Sequence, residues 1–160
     1  MAINKVYSYE EALEKAANYC AYQERCHEEV RTKLLDWGMR ALDLENILVH
    51  LIQENYLNEE RFSKSFVKDK IRFQKWGRIK IQYELKRKKI SDYCIQKAFE
   101  EISEEEYETI LEDIIQKKMR QVKETNSFKR KQKIAAYAIQ KGFESEFVFE
   151  ILNRIENNNE

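Results

Sequence analysis

Seven apolar positions recur three times along this chain with nearly constant spacing. They are Val30, Ile81 and Ile134; Leu34, Leu85 and Ala138; Met39, Ile90 and Phe143; and Leu44, Ile95 and Val148. The last three are Ile47, Ala98 and Ile151; Leu48, Phe99 and Leu152; and Leu51, Ile102 and Ile155. The second copy lies 51 residues after the first, and the third 53 after the second. Within each copy the positions fall at helical spacing on one helix, cross a turn, and continue on another. Any amphipathic helix pair can give a similar register, but here the turn length is also held constant. Gly38 and Gly142 share one further column, which Lys89 occupies in the middle copy. A unit of about 50 residues buries little apolar area alone, and three stacked in a row share a longer core.

Another helix precedes each pair. Ser8, with Glu11 three residues later, forms a capping box ahead of Ala12, Leu13, Ala16, Ala17 and Cys20. A second helix runs from about His27 to Trp37 and stops at Gly38, a left-handed cap. The third runs from about Asp43 to Asn55. In the middle unit Asn58 caps a helix bearing Phe62, Phe66, Val67 and Ile71. In the last, Ser103 with Glu106 repeats the capping-box spacing ahead of Tyr107, Ile110, Leu111, Ile114 and Ile115. The expected organisation is a tail over 1–7 and three-helix repeats over 8–56, 57–102 and 103–160. The fold class is all-α, with about nine helices in three tandem helix-turn-helix-like repeats that form an elongated, curved chain. Composition agrees. Proline is absent and glycine occurs only 3 times in 160 residues, where average usage gives roughly eight and eleven. A turn-rich sandwich or barrel is thereby excluded.

The net charge is zero, from 29 basic and 29 acidic residues, yet the charges are sorted along the chain. Residues 61–90 hold 12 basic and 2 acidic groups. The basic ones are Arg61, Lys64, Lys68, Lys70, Arg72, Lys75, Arg78, Lys80, Lys86, Arg87, Lys88 and Lys89. Phe62, Phe66, Phe73, Trp76 and Tyr83 are interleaved. Such a block cannot balance itself by local pairs, so it points to an acidic partner surface, nucleic acid or protein. Lysines and arginines neutralise phosphates, and exposed rings stack on bases. The plainer reading is a solvated helix face over core aromatics, and Phe62 and Phe66 are assigned to that core. Gly77 would let backbone amides approach a phosphate at a helix N-terminus, or would simply serve a tight turn. A second basic block, residues 117–133, carries 8 basic groups and 1 acidic one. Between the two blocks, residues 100–116 hold 8 acids and no base. These acids favour helix N-terminal turns and repel DNA from one side.

Catalytic signatures are missing. There is no P-loop, no glycine-rich dinucleotide fingerprint, no nucleophile elbow and no metal-spaced Cys/His set. Cys26 and His27 are adjacent, so on a helix they point about 100° apart and ligate one metal poorly. Cys20 and Cys94 are read as small core residues, and His27 and His50 as surface or cap residues. The expectation is a binding module without catalysis, cofactor or metal. No apolar run reaches the roughly 18 residues of a membrane span. The opening Met1 to Tyr7 lacks the apolar stretch of a signal peptide. The three cysteines suit reduced thiols in the cytoplasm.

One stretch is more specific. Asn55-Tyr56-Leu57-Asn58-Glu59-Glu60-Arg61-Phe62, followed by Phe66-Val67 and then by Trp76-Gly77-Arg78-Ile79-Lys80-Ile81-Gln82-Tyr83-Glu84-Leu85-Lys86-Arg87-Lys88-Lys89-Ile90, resembles the central signature of the RecX family, regulators of the RecA recombinase. Glu28-Glu29 and Leu34-Leu35 before Gly38, and Lys133-Ile134 with Gln140-Lys141-Gly142-Phe143, resemble its outer repeats. The resemblance covers about residues 10–155. Asn55, Lys75 and Lys89 stand where the family pattern has glycine, and Arg78 where proline usually opens the helix. These changes are expected to stiffen loops and add charge.

The resemblance implies three three-helix repeats that lie along the groove of the RecA–single-stranded-DNA filament and limit its growth, ATP hydrolysis and strand exchange. It also implies a monomer whose partners are that filament and single-stranded DNA, with duplex DNA bound without sequence preference and no membrane. The expected contact residues are Trp76 and the twelve basic residues from Arg61 to Lys89. The competing readings are a helix-turn-helix regulator of duplex DNA sites, for which Ile79–Lys89 is the best recognition helix, and a helical adaptor for proteins alone.

Overall fold

The computed structural model describes residues 6–159. Residues 1–5 of the expected tail, and Glu160 at the end of the third repeat, lie outside the described residues. Among the described residues there are nine helices and no strand. They are α1 (Tyr9–Tyr22), α2 (His27–Asp36), α3 (Ala41–Gln53), α4 (Glu59–Arg72), α5 (Arg78–Arg87), α6 (Asp92–Phe99), α7 (Glu104–Gln121), α8 (Ser127–Gln140) and α9 (Ser145–Asn158). The all-α reading and the grouping in threes hold.

The repeat columns are the core. Of their 21 residues, 20 are buried and only Phe99 is half-exposed. The glycine column also keeps its conformation. Gly38, Lys89 and Gly142 have φ of 89°, 61° and 103°. Each helix pair therefore closes through a left-handed residue, although only glycine adopts that region without cost.

Caps start the helices where the side chains direct. The amide of Glu11 donates to Ser8 Oγ at 3.2 Å, and Ser8 N–H donates back to Glu11 Oε1 at 3.3 Å. Arg61 N–H donates to Asn58 Oδ1 at 2.9 Å. Glu106 N–H donates to Ser103 Oγ at 3.1 Å. This last box is not reciprocal, because the Glu106 carboxylate accepts from Arg72 instead.

The chain divides into two compact units. The first runs as far as Ser65 and resumes over Lys86–Ala98. Its core joins Ala12, Ala16 and Cys20 of α1 to Val30 and Leu34 of α2 and Leu44, Ile47, Leu48 and Leu51 of α3. His27, at the start of α2, donates its backbone N–H to Glu59 Oε2 at 3.2 Å, and its Nδ1 lies 3.3 Å from Glu59 Oε1. The second unit comprises Phe66–Leu85 and Phe99 onward. There α7, α8 and α9 pack around Tyr107, whose ring lies 5.3 Å from that of Phe143 and stacks at 6.0 Å on Phe147. No helix among the described residues is long and apolar enough to cross a membrane.

Candidate nucleic-acid interface

Three of the four arginines of the basic block are held by internal partners. Arg61 donates through Nε to Glu24 Oε1 at 2.6 Å. Its other nitrogens donate to Asn55 Oδ1 at 3.2 Å and to the carbonyls of Asn55 and Tyr56 at 3.1 and 3.3 Å. It thus ties the turn between α3 and α4 to the α1–α2 link. Arg72 grips Glu106 with two donors, at 2.7 and 3.3 Å. That fork holds the Glu106 carboxyl below the usual range for a carboxylate.

Arg78 donates to Glu104 at 2.7 Å and to Glu144 at 3.2 Å, and its guanidinium lies 3.8 Å from the Tyr107 ring centroid. The Arg78 backbone N–H donates to Tyr107 Oη at 3.1 Å, a bond that proline at this position could not make. Tyr107 in turn donates to Glu144. Burial first, and this bond second, raise the Tyr107 pKa well above its ordinary value.

The N-terminus of α5 is closed to phosphate. Gly77 N–H donates to Lys141 O at 2.8 Å, and Ile79 N–H to Gly142 O at 2.9 Å. The amides expected to cradle an anion are bound by the carbonyls of the two residues that follow α8. The phosphate reading of Gly77 does not hold, and no turn is formed at this residue; it serves a close backbone approach to Gly142.

The lysines are placed differently. Lys70 and Lys80 lie 4.7 and 4.2 Å from the Trp76 ring centroid, and Phe66 meets the same ring edge-on at 6.5 Å. Trp76 is therefore a half-buried ring clasped by two cations. Phe62 is core and Phe66 half-buried, whereas Phe73 and Tyr83 are 77% and 63% exposed. Lys64 is 3.4 Å from Glu60 on its own helix. Lys86 and Lys89 lie 3.8 and 3.5 Å from Asp92 and Glu28, in exposed pairs. With exposed Arg87 and half-buried Lys88 they form a run of four cations at the end of α5. Lys68 is half-buried on α4.

Asn55, Lys75 and Lys89 have φ of 63°, 59° and 61°. The three side chains that replace family glycines thus sit in the left-handed conformation a glycine would take, so these loops keep a glycine-like backbone and accept strain.

The second basic block adds a surface to which sequence reasoning gives no role. Tyr137 of α8 stands among Lys117, Lys118 and Lys141 beside a cavity of about 250 Å³. Its signal in the sequence was the excess of cations over 117–133.

Known proteins match both the sequence and the fold. The family model described as the second three-helix domain of RecX matches residues 58–98, and that for the third matches residues 104–152. The regulatory protein RecX of Listeria welshimeri is 31% identical over 137 residues, which are 84% of this chain and 50% of that protein. The chain belongs to the RecX family. Regulatory protein RecX of Clostridium perfringens is 28% identical over 136 residues, covering 84% of this chain and 63% of that protein. That of Prosthecochloris aestuarii is 27% identical, covering 90% and 93%. The chain thus spans less than two thirds of several RecX relatives and nearly the whole of another. The crystal structure of RecX from Lactobacillus salivarius superposes with a TM-score of 0.83 at 20% identity, over 92% of this chain and 96% of that one. RecX proteins carry a regulatory designation, and this chain shares their helical-repeat fold.

Proposed function

We propose that this chain is a negative regulator of the RecA recombinase. It binds the RecA–single-stranded-DNA filament and limits filament growth, ATP hydrolysis and strand exchange by occupying the groove, without catalysis. It acts as a monomer in the cytoplasm.

The observation that carries this reading is a division of labour within the basic block. Arg61, Arg72 and Arg78 are held in charge-assisted bonds of 2.6 to 2.7 Å to carboxylates of the same unit. Lys86 and Lys89 make only exposed pairs of 3.8 and 3.5 Å. Phosphate or an acidic filament surface readily replaces such pairs, because they contribute little in water. Arg87 and Lys88 extend this supply in the first unit, and Lys68, Lys70, Lys75 and Lys80 add cations in the second, while Arg61, Arg72, Arg78 and Trp76 hold the scaffolds that carry them.

The test is a recombinase ATPase assay on single-stranded DNA with the purified chain added. The parent chain inhibits. The variant carrying Glu at 86, 87, 88 and 89 keeps its helical signal and loses inhibition. Normal inhibition by that variant refutes the mechanism. A gel shift with random duplex, random single strand and recombinase filament distinguishes filament binding from a duplex-site regulator, which binds its duplex tightly without recombinase.

A further inference from the structure

We propose that the third repeat carries its own binding site for single-stranded nucleic acid, a lysine-lined groove centred on Tyr137. The site stands apart from the filament proposal. It shares only Lys75 with the residues named there and needs no recombinase.

The groove has the parts such a ligand requires. Ile110 and Ile114 of α7 line the 250 Å³ cavity together with Lys75, Lys117, Lys118 and Lys141, and the Lys141 ammonium also donates to the carbonyl of Gln74 at 3.4 Å. One carboxylate, Asp113, belongs to the same lining. Lys75 also feels the carboxylate of Glu106, which Arg72 already grips. A second, more open cavity of about 490 Å³ adjoins the first, and Lys118, Gln121 and Tyr137 line both. Tyr137 is therefore a ridge between two hollows. It is 38% exposed, with Lys118 Nζ 4.4 Å and Lys141 Nζ 5.7 Å from its ring centroid.

Cations spaced around an exposed ring on an apolar floor match a strand whose phosphates meet the lysines and whose bases stack on the tyrosine. A duplex keeps its bases stacked inside and gains nothing from the tyrosine or the isoleucines. An acidic peptide satisfies the lysines and leaves the ring unused.

Lys75 adds an independent sign. It keeps a lysine in a left-handed conformation, φ 59°, where glycine is cheaper, and its side chain reaches this groove.

The experiment is fluorescence anisotropy of the full chain with a labelled oligothymidylate of about 15 nucleotides. Lys117→Gln with Lys118→Gln weakens binding about tenfold and reduces the slope of log affinity against log salt by about 1.4, or roughly 0.7 per phosphate contact. Tyr137→Ala weakens binding about tenfold, whereas Tyr137→Phe retains it. Lys129→Gln, an exposed cation of α8 outside both cavities, leaves affinity within about twofold. Lys75→Gly raises the melting temperature and still weakens binding, which separates loss of the site from loss of the fold.

Parent-like affinity in the double lysine variant or in Tyr137→Ala overturns the proposal. So does competition by polyglutamate or random duplex equal to that by unlabelled oligothymidylate, which would reveal a general polyanion surface. The readout contains no recombinase, so its failure leaves the filament reading intact, and the converse also holds.

Discussion

Gly77 and Gly142 approach so closely that a Cβ added to Gly77 would lie 2.2 Å from the carbonyl carbon of Gly142. The contact joins two helix ends of opposite polarity. The carbonyls of Lys141 and Gly142, just past the end of α8, meet the amides of Gly77 and Ile79 at the start of α5, and each satisfies the other. No other residue leaves room for this cap, and Gly142 also needs its left-handed φ of 103°.

Gly77→Ala is therefore expected to lower stability by about 2–4 kcal/mol, since the methyl group forces the backbones apart. Urea unfolding followed by circular dichroism checks it. A parent-like midpoint would show that the two ends do not meet in solution.

Lys89→Gly has the opposite sign. The left-handed backbone costs a lysine roughly 1–2 kcal/mol, and glycine returns part of that through its floppier unfolded state. The exposed pair with Glu28 contributes little. The net expectation is a gain of about 0.5–1 kcal/mol, seen as a rise of about 1–4 °C in Tm.

Arg78→Gln and the lysine changes should separate stability from function. Removing Arg78 strips partners from Glu104 and Glu144 and exposes one side of Tyr107, at a cost of roughly 1.5–3 kcal/mol. Its expected effect is a lower urea midpoint with inhibition per folded molecule retained. Lys86→Gln with Lys89→Gln is expected to leave the midpoint in place and weaken inhibition. Paired melts and ATPase titrations on the same preparations measure both.

Alkaline pH probes the first unit. Burial pushes the Cys26 thiol up to about 12 and the Cys20 thiol up to about 11, from an ordinary 9.0. The folded state holds both thiols protonated, while the unfolded chain ionises them near 9, so stability is full below that pH and falls above it. Each thiol contributes a slope that rises toward about 1.4 kcal/mol per pH unit as the pH climbs past 9. Between pH 9 and 10, Cys26→Ala is expected to show a visibly shallower decline in unfolding free energy than the parent. An unchanged slope would mean that Cys26 is not buried.

Much of the fold is legible in single segments. The helical period fixes which side chains share a face, so the stripe through Val30, Leu34 and Leu44 marks a buried surface before any partner is known. Ser8, Asn58 and Ser103 mark helix starts because their oxygens accept amides only three residues away. The left-handed column is also legible, since Gly38 and Gly142 announce the conformation that Lys89 must copy.

The candidate site is less so. A run of twelve cations reads as one surface, yet α4 and α5 deal it to different tasks. Arg72 goes to Glu106, 34 residues away, and Arg78 to Glu144, 66 residues away. The cavity beside Tyr137 is completed by Lys75, from another repeat.

The amino-acid order by itself determined the all-helical repeat, the buried stripe, the caps and the excess of positive charge, because each depends on neighbours within a turn or two of one helix. Tertiary structure alone decided which cations are tied to carboxylates, which helix ends cap one another, and where lysines gather around a ring. Those outcomes depend on distances between segments far apart in the chain, and local periodicity carries no information about them.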